Sequence, residues 1–315
     1  MAQAAMGGSG NLTPADLRSS PGKRRKERLI TLAFKATAWV SILVTLLIVF
    51  SLIREATIFL VKVGDLSSLL EIGWFPRRGL YDLRTLIVGT VLVTAIAMAV
   101  AVPLGLGAAV YLSEYARPRV RRTVKPALEI LAGVPSVVLG YFALSFITPE
   151  LLVRMNPSTQ YFNLAAAGIA VGILTLPLVA SVAEDALRAV PSALREAAYG
   201  LGGRKIHVVR KVVFPAAISG VVAAFVIGIS RAFGETMVVA IASGATGGSL
   251  LSFDVFGPGQ TMTAAMAALG AGTDQVKGDQ AAFQSLYFVG LLLFGITLGL
   301  NLFGDRFVRR IRERY

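Results

Sequence analysis

An arginine and a glutamate stand four residues apart inside a long apolar stretch of this chain. Arg231 and Glu235 belong to the segment SRAFGETMVV, and no other charged residue occurs between Lys211 and Asp254. On a continuing helix this spacing puts both side chains on one face, where they can form an ion pair. Because an arginine at the centre of a bilayer costs about 2.5 to 3.5 kcal/mol, such a pair normally faces a polar cavity and marks a substrate path. The alternative is that Arg231 extends to the outer headgroups while Glu235 neutralises it.

A second candidate lies where helix-breaking residues interrupt another apolar stretch. Gly133, Pro135 and Ser136 occur close together in EILAGVPSVVLGYFAL, residues 129 to 144. A break here would free backbone N–H groups beside the hydroxyl of Ser136, an arrangement that can contact an anion. A plain kink with close helix packing is the alternative.

The basic segment between residues 184 and 211 is longer than a minimal connector. It contains PSALREAAYGLGGRKIHVVRKVVFP, in which Pro191 and Ser192 predict the start of a short helix over residues 193 to 201. Gly202 and Gly203 predict its end, and a second helix is predicted from about Arg204. Small side chains on the first helix leave a flat patch against which a partner can pack.

The chain carries no recognisable enzymatic motif. Its single histidine, His207, lies in the basic segment with no carboxylate nearby to orient it as a base. The H-E-x-x-H, G-x-S-x-G and G-x-x-x-x-G-K-[ST] patterns do not occur, and there is no cysteine to form a disulfide or a thiolate metal site. We therefore expect no catalytic residue, no metal site, no cofactor and no ATPase site in this chain.

The elements that must position these residues are membrane-spanning helices. Hydrophobic residues make up 55% of the 315 residues and charged residues only 16%, whereas globular proteins have about 25% charged residues. Apolar windows long enough to cross a bilayer predict an all-α integral membrane protein with six transmembrane helices. These spans are predicted at about 36–53, 85–112, 130–149, 159–183, 212–235 and 281–304.

Two further uncharged windows, 236–253 and 255–273, are rich in glycine and polar residues. Lipid cannot satisfy backbone groups exposed by such residues, so neither window is a good span. We interpret the first as the fifth helix running out into a loop and the second as a re-entrant or surface helix. Eight spans remain the alternative.

The positive charges alternate between the two sides of the predicted membrane. Of the 31 Lys and Arg residues, 23 lie in the two termini and in the loops 114–126 and 184–211. The positive-inside rule places these segments, and therefore both termini, in the cytoplasm. Residues 1–28 are predicted to be a disordered basic cytoplasmic tail, and residues 29–315 the transmembrane domain. Without an aromatic-interleaved soluble surface, the net charge of +13 does not indicate nucleic-acid binding.

The 184–211 loop also resembles a known motif. Glu196, Ala197 and Ala198, then Gly202 after three residues and a closing V-x-F-P, are similar to the EAA loop (EAA-x3-G-x9-I-x-L-P) of ABC importer permeases. The departures, valine for isoleucine and phenylalanine for leucine, are both apolar. In that family the loop forms coupling helices that sit in a groove of the nucleotide-binding subunit. The resemblance implies a type I ABC importer permease fold, with these four residues coupling it to a separate ATPase.

Further segments resemble one branch of that family. SRAFGETMVV is similar to the S-R-A-x-G-E-T-M segment of PstC-type permease subunits of phosphate importers. The stretches 102–116 and 129–144 are similar to other segments of the same subunits. The resemblance implies an inner (plasma) membrane permease subunit for inorganic phosphate. It implies four kinds of partner: a PstA-like permease subunit, two copies of an ATP-binding subunit, an extracytoplasmic phosphate-binding protein and phosphate itself. The stretch 245–280 has no clear counterpart, so the outer part of the pathway is the least certain to follow the family.

The resemblance also suggests roles along a substrate pathway formed by Arg231, Glu235, Thr236 and Ser136. Arg231 would attract the oxyanion as a bidentate donor, and Glu235 would accept a hydrogen bond from a protonated phosphate oxygen. Sulfate has no such proton, so the carboxylate would repel it. The alternatives are an ABC importer permease for another oxyanion such as sulfate or molybdate, and an ion-gradient-driven carrier.

Overall fold

The computed structural model describes residues 21–64, 66–70, 72–244, 248–271 and 280–312. The predicted tail lies outside these ranges up to residue 20, and residues 21–28 belong to a helix rather than to a tail. Within the described ranges the α-helices are α1 (Pro21–Val63), α2 (Leu83–Val110), α3 (Pro118–Ala132), α4 (Ser136–Phe142), α5 (Val153–Met155), α6 (Leu164–Arg188), α7 (Ser192–Gly200), α8 (Lys205–Val208), α9 (Phe214–Phe233), α10 (Met237–Ala242), α11 (Met262–Gly270) and α12 (Gln280–Arg312).

Shorter elements connect these helices. Three π-helical segments continue α2, α4 and α8, at Tyr111–Tyr115, Ala143–Leu152 and Val209–Val213. Two 3₁₀ turns occur at Leu66–Leu70 and Pro76–Arg78. The strands β1 (Trp74–Phe75) and β2 (Leu80–Tyr81) form an antiparallel hairpin in which Trp74 pairs with Tyr81.

Six helical stretches in the described chain are long and apolar enough to cross a membrane, which confirms the all-helical membrane fold. They are Arg25–Val63, Leu83–Tyr115, Ser136–Met155, Leu164–Arg188, Lys205–Phe233 and Ala281–Arg310. The third begins at Ser136 rather than at residue 130. The reason is that α3, which precedes it, is an amphipathic and basic helix with no buried residue. The chain is thus a multi-pass membrane protein.

The two polar windows are not additional spans. The first holds α10, six residues that follow a break after α9, and the second holds α11, nine residues with a largely buried face. At 1.5 Å per residue neither reaches across a 30 Å hydrocarbon core. The structure therefore has six spans rather than eight, and α11 is an internal helix rather than a surface one.

The chain divides into two compact units. The first, Met1–Ser51, is described only from residue 21, where it consists of the first part of α1 with exposed apolar side chains. The second, Leu52–Tyr315, contains the remaining elements.

The second unit is organised around α6, which is the most deeply buried of the spanning helices. Helix α2 lies against it at close range because glycines face the contact. A Cβ added to Gly168 would lie 2.6 Å from Cβ of Ile96, and one added to Gly172 would lie 2.8 Å from the carbonyl oxygen of Ala97. Small residues are what allow such close approach between membrane helices. Helix α9 packs on α6, and α12 packs on α9.

Two polar side chains cap the amino-terminal ends of α2 and α6. Asn163 Oδ1 accepts the N–H of Ala166 at 2.7 Å, and Asp82 Oδ1 accepts the N–H of Arg84 at 3.1 Å. Burial alone would raise the pKa of the Asp82 carboxyl, but hydrogen bonds from Arg84, Thr85 and the backbone of Gly73 outweigh it and hold that pKa below its ordinary value. Asp82 therefore stays ionised and ties the β1–β2 hairpin to the start of α2.

Candidate substrate pathway and coupling loop

The predicted ion pair forms, but across a helix break rather than along a continuous helix. Helix α9 ends at Phe233 and α10 begins at Met237, so the expectation of an unbroken helix was wrong. Even so, Nη1 of Arg231 lies 3.1 Å from Oε2 of Glu235. The glutamate side chain is 5% exposed and the arginine side chain 49% exposed.

The two partners differ in how much of their hydrogen-bonding capacity remains free. The second carboxylate oxygen of Glu235 accepts the N–H of Val238 at 3.4 Å, and its backbone carbonyl accepts the hydroxyl of Thr263 at 2.8 Å. For Arg231, Glu235 is the one ion-pair partner among the described residues. A guanidinium has five N–H donors and the Arg231 side chain is about half exposed, so it can make further hydrogen bonds. The half-exposed cation is thus paired with a buried carboxylate.

Ser136 lies at a second break. Helix α3 ends at Ala132, and Ser136 is the first residue of α4, half-buried and preceded by Pro135. Of the two alternatives, the structure therefore has a break here rather than a kink within one helix. In the described chain no hydrogen bond joins Ser136 to Arg231 or Glu235, so the serine is not part of the ion-pair cluster.

The two breaks nevertheless flank the same packing region. A Cβ on Gly140 would lie 3.0 Å from Cβ of Ile241, which shows how closely α4 and α10 approach. Val134 beside the first break and Ala232 and Val238 beside the second belong to one apolar cluster. The hydroxyl of Thr236 donates to the carbonyl of Gly234 at 3.2 Å, at an exposed site beside the second break.

The predicted loop helices are present. Helix α7 carries Glu196 and Ala197 exposed and Ala198 half-buried. Gly202 has φ +77°, a left-handed conformation that favours glycine at the end of a helix. The N–H of Gly203 then donates to the carbonyl of Ala198 at 3.1 Å, which closes the turn before α8. Leu201 stands at the tip, 91% exposed.

Two contacts that sequence reasoning missed hold this loop against the end of α2. Arg195 donates to Oε1 of Glu114 at 2.9 Å and also to the carbonyls of Leu187 and Val190, at 2.8 and 2.5 Å. Next to Glu114, the ring of Tyr115 lies 4.9 Å from Nζ of Lys205. The signal available was the segment YLSEYA at residues 111 to 116, which resembled the permease family although its partners could not be identified.

A buried carboxylate ties α3 to α6 nearby. Glu184, which is fully buried, lies 2.7 Å from Nη2 of Arg121 and 3.1 Å from Nζ of Lys125. Burial alone would lower the pKa of Lys125, but the carboxylates of Glu184 and Asp185 outweigh it and raise that pKa. Lys125 therefore stays charged, and ion pairs to Glu184 hold α3 against α6.

Comparisons with known proteins identify the family to which the chain belongs. Residues 101–314, which include every site residue named above, match the model of the family described as binding-protein-dependent transport system inner membrane component. The chain is 34% identical over 256 residues to the phosphate transport system permease protein PstC 1 of Mycobacterium bovis, covering 75% of each chain. It is 32% identical over 266 residues to the phosphate transport system permease protein PstC of Mesorhizobium japonicum, covering 79% of this chain and 80% of that one.

Solved structures show the same fold at lower sequence identity. A bacterial ABC transporter involved in the import of alginate superposes with a TM-score of 0.62 at 13% identity, covering 91% of this chain and 97% of that chain. At this identity the likeness concerns the fold alone.

Proposed function

We propose that this chain, which belongs to the binding-protein-dependent transport system inner membrane components and within them to the PstC-type permeases, imports inorganic phosphate as part of an ATP-driven complex. One observation carries the proposal: a half-exposed arginine is paired with a buried glutamate at a break in a membrane helix, in a chain related to phosphate permeases. An intramembrane pair in this setting is typical of a substrate path.

The ion pair suggests how phosphate would be selected. Arg231 would bind the anion through its free N–H donors, and Glu235 would accept a hydrogen bond from a phosphate hydroxyl. An oxyanion without a proton could not donate a hydrogen bond to Glu235, so the carboxylate beside the guanidinium would repel it. Thr236 and Ser136 would offer hydroxyls along the same path, on either side of the cluster that the two breaks flank.

The exposed loop suggests how transport would be driven. Glu196, Ala197, Ala198 and Gly202 would dock in a groove of an ATP-binding subunit, and the exposed Leu201 would add apolar contact. ATP hydrolysis by two copies of that subunit would move the loop and alternate the access of the path. The permease itself would supply no catalytic group.

The remaining partners follow from the same proposal. A homologous PstA-like subunit would complete the path, and an extracytoplasmic phosphate-binding protein would deliver the anion. The distribution of Lys and Arg supports a cytoplasmic position for both termini and for the coupling loop. Residues 1–28 would then form a cytoplasmic segment and residues 29–315 the permease domain.

Labelled phosphate uptake tests the proposal in cells that lack their own phosphate importers and express this chain with its candidate partners. We expect uptake that excess sulfate or molybdate does not inhibit and that Glu196→Lys abolishes. Glu235→Gln is expected to lower the discrimination against sulfate, because it removes the charge that repels it. Inhibition by sulfate in the unaltered protein would instead indicate a permease for another oxyanion. Uptake that survives Glu196→Lys would contradict the coupling role.

A further inference from the structure

We propose that Thr263 is a positioning residue that fixes Glu235 at the break between α9 and α10, and that α11 exists to carry it there. This inference rests on the proposed role of Glu235 in the substrate path. Thr263 lies in the 245–280 stretch, which sequence reasoning could not relate to the permease family. Its hydroxyl donates to the carbonyl oxygen of Glu235 at 2.8 Å, and both residues are buried.

The break itself creates the need for this bond. A residue in a continuing helix has its carbonyl bonded to the N–H four residues later, but Glu235 lies between two helices. A buried carbonyl without a donor is costly in a protein interior. Thr263 supplies the donor from a segment 28 residues further along the chain.

The hydroxyl protons of the α11 start can be assigned in only one order. Thr261 Oγ1 accepts the N–H of Ala264 at 3.2 Å and lies 3.2 Å from Oγ1 of Thr263. Each hydroxyl has one proton, and that of Thr263 is used on Glu235. Thr261 must therefore donate to Thr263, which gives a chain from Ala264 N–H through both hydroxyls to the Glu235 carbonyl. Hydrogen bonds in such a chain polarise and strengthen one another.

The start of α11 is in turn fastened to α2. The N–H of Met262 donates to Thr90 Oγ1 at 3.0 Å, and the Thr90 hydroxyl donates to the carbonyl of Leu86 at 2.7 Å. A Cβ on Gly89 would lie only 2.3 Å from the carbonyl oxygen of Gln260, so the two backbones are in direct contact. Through Thr263, Glu235 is thus hydrogen-bonded to a helix that is itself fastened to α2. A site that must hold the charges of Arg231 and Glu235 at a fixed distance requires this kind of support.

The absence of cysteine from the chain allows a direct test that does not depend on transport. Met237, the first residue of α10, is 42% exposed, so Met237→Cys introduces a single reporter thiol beside the break. Its rate of reaction with a methanethiosulfonate reagent would be measured in the assembled complex. The Met237→Cys variant would be combined with Thr263→Val, which removes the hydroxyl. In a separate variant it would be combined with Thr263→Ser, which keeps the hydroxyl.

Thr175→Val is the matched control. Thr175 is a fully buried threonine in α6, and its hydroxyl donates at 2.8 Å to the carbonyl of Val171 within its own helix. It resembles Thr263 in burial and chemistry but links no separate segments. We expect it to leave both the labelling rate and phosphate uptake within about twofold of the unaltered protein.

For Thr263→Val we expect the labelling rate to change at least threefold and maximal uptake to fall about five- to tenfold, the loss that an unsatisfied buried acceptor produces. Thr263→Ser is expected to restore both. Labelling in Thr263→Val that matches the Thr175→Val control would overturn the inference, as would a Thr263→Ser variant as impaired as Thr263→Val. Failure of the proposed function looks different, because the unaltered complex would then take up no phosphate whatever the labelling shows.

Discussion

Replacing Glu114 with glutamine is expected to weaken the link between ATP hydrolysis and transport. Glu114 at the end of α2 accepts a 2.9 Å hydrogen bond from Arg195 of the coupling helix. The glutamate side chain is 5% exposed and the arginine 19% exposed, so solvent screens the pair only weakly. A push on α7 by an ATPase would therefore reach α2 through this contact.

The size of the effect follows from what each substitution leaves behind. Arg195 keeps its bonds to the carbonyls of Leu187 and Val190, so its charge is not left without acceptors. Glutamine also keeps a neutral acceptor, and exchanging a charged for a neutral hydrogen bond costs about 1 to 1.5 kcal/mol. That corresponds to about a five- to tenfold change in an equilibrium. Glu114→Ala removes the acceptor, and losing a hydrogen bond between charged groups costs about 1.5 to 3 kcal/mol.

The assay is phosphate transported per ATP hydrolysed, in proteoliposomes that contain the complete complex. We expect Glu114→Gln to lower this ratio about five- to tenfold, Glu114→Ala to lower it further, and ATP hydrolysis to continue in both. Glu150→Gln is the matched control, because Glu150 pairs with Arg154 at an exposed site where ion pairs contribute little. An unchanged ratio in Glu114→Ala would refute the idea that the coupling helix acts on α2 through this contact.

Two further predictions concern local geometry. Gly202→Ala places a side chain on a residue with φ +77°, and this strain should destabilise the loop conformation by about 1 to 2 kcal/mol. We expect lower phosphate uptake with normal amounts of protein in the membrane, and unchanged uptake would contradict this prediction. The lowered pKa of Asp82 means that its stabilisation is present above the ordinary pKa of an aspartate and is lost as pH falls through the lower folded-state pKa. Thermal unfolding in detergent should therefore show acid destabilisation that Asp82→Asn largely removes, while that variant is less stable at neutral pH.

Much of the fold was predictable because the signals are local. A run of apolar residues as long as a bilayer is thick identifies a span wherever the helix packs, and the structure contains the six that were predicted. The third span was misplaced at its start because the apolar pattern continues through residues 130 to 135, whereas the backbone breaks there. The exact first and last residues of a span depend on backbone geometry, which the apolar composition of the sequence does not show.

Of the candidate site too, the features that depend on local spacing were predictable and those that depend on distant residues were not. The loop helix with Glu196 and Gly202 and the Arg231–Glu235 pair join residues four to six apart, so their spacing was enough to predict them. The break inside that pair was not predictable, since the buried Glu235 can lie between two helices only if its carbonyl finds another donor. That donor comes from α11, which the sequence indicated as a re-entrant or surface helix without any link to Glu235.

By itself, then, the sequence determined the membrane class, the spans, the helices of the 184–211 loop and the charged pair, because each is encoded in residue types over one or a few helical turns. Only the tertiary structure decided which distant residues support them. Arg195 and Glu114 are 81 residues apart and Thr263 and Glu235 are 28 apart, and each pair joins two separate elements that meet only in the folded chain. A hydrogen bond requires its two atoms to lie within about 3 Å, and only the packed backbone sets a distance of that precision.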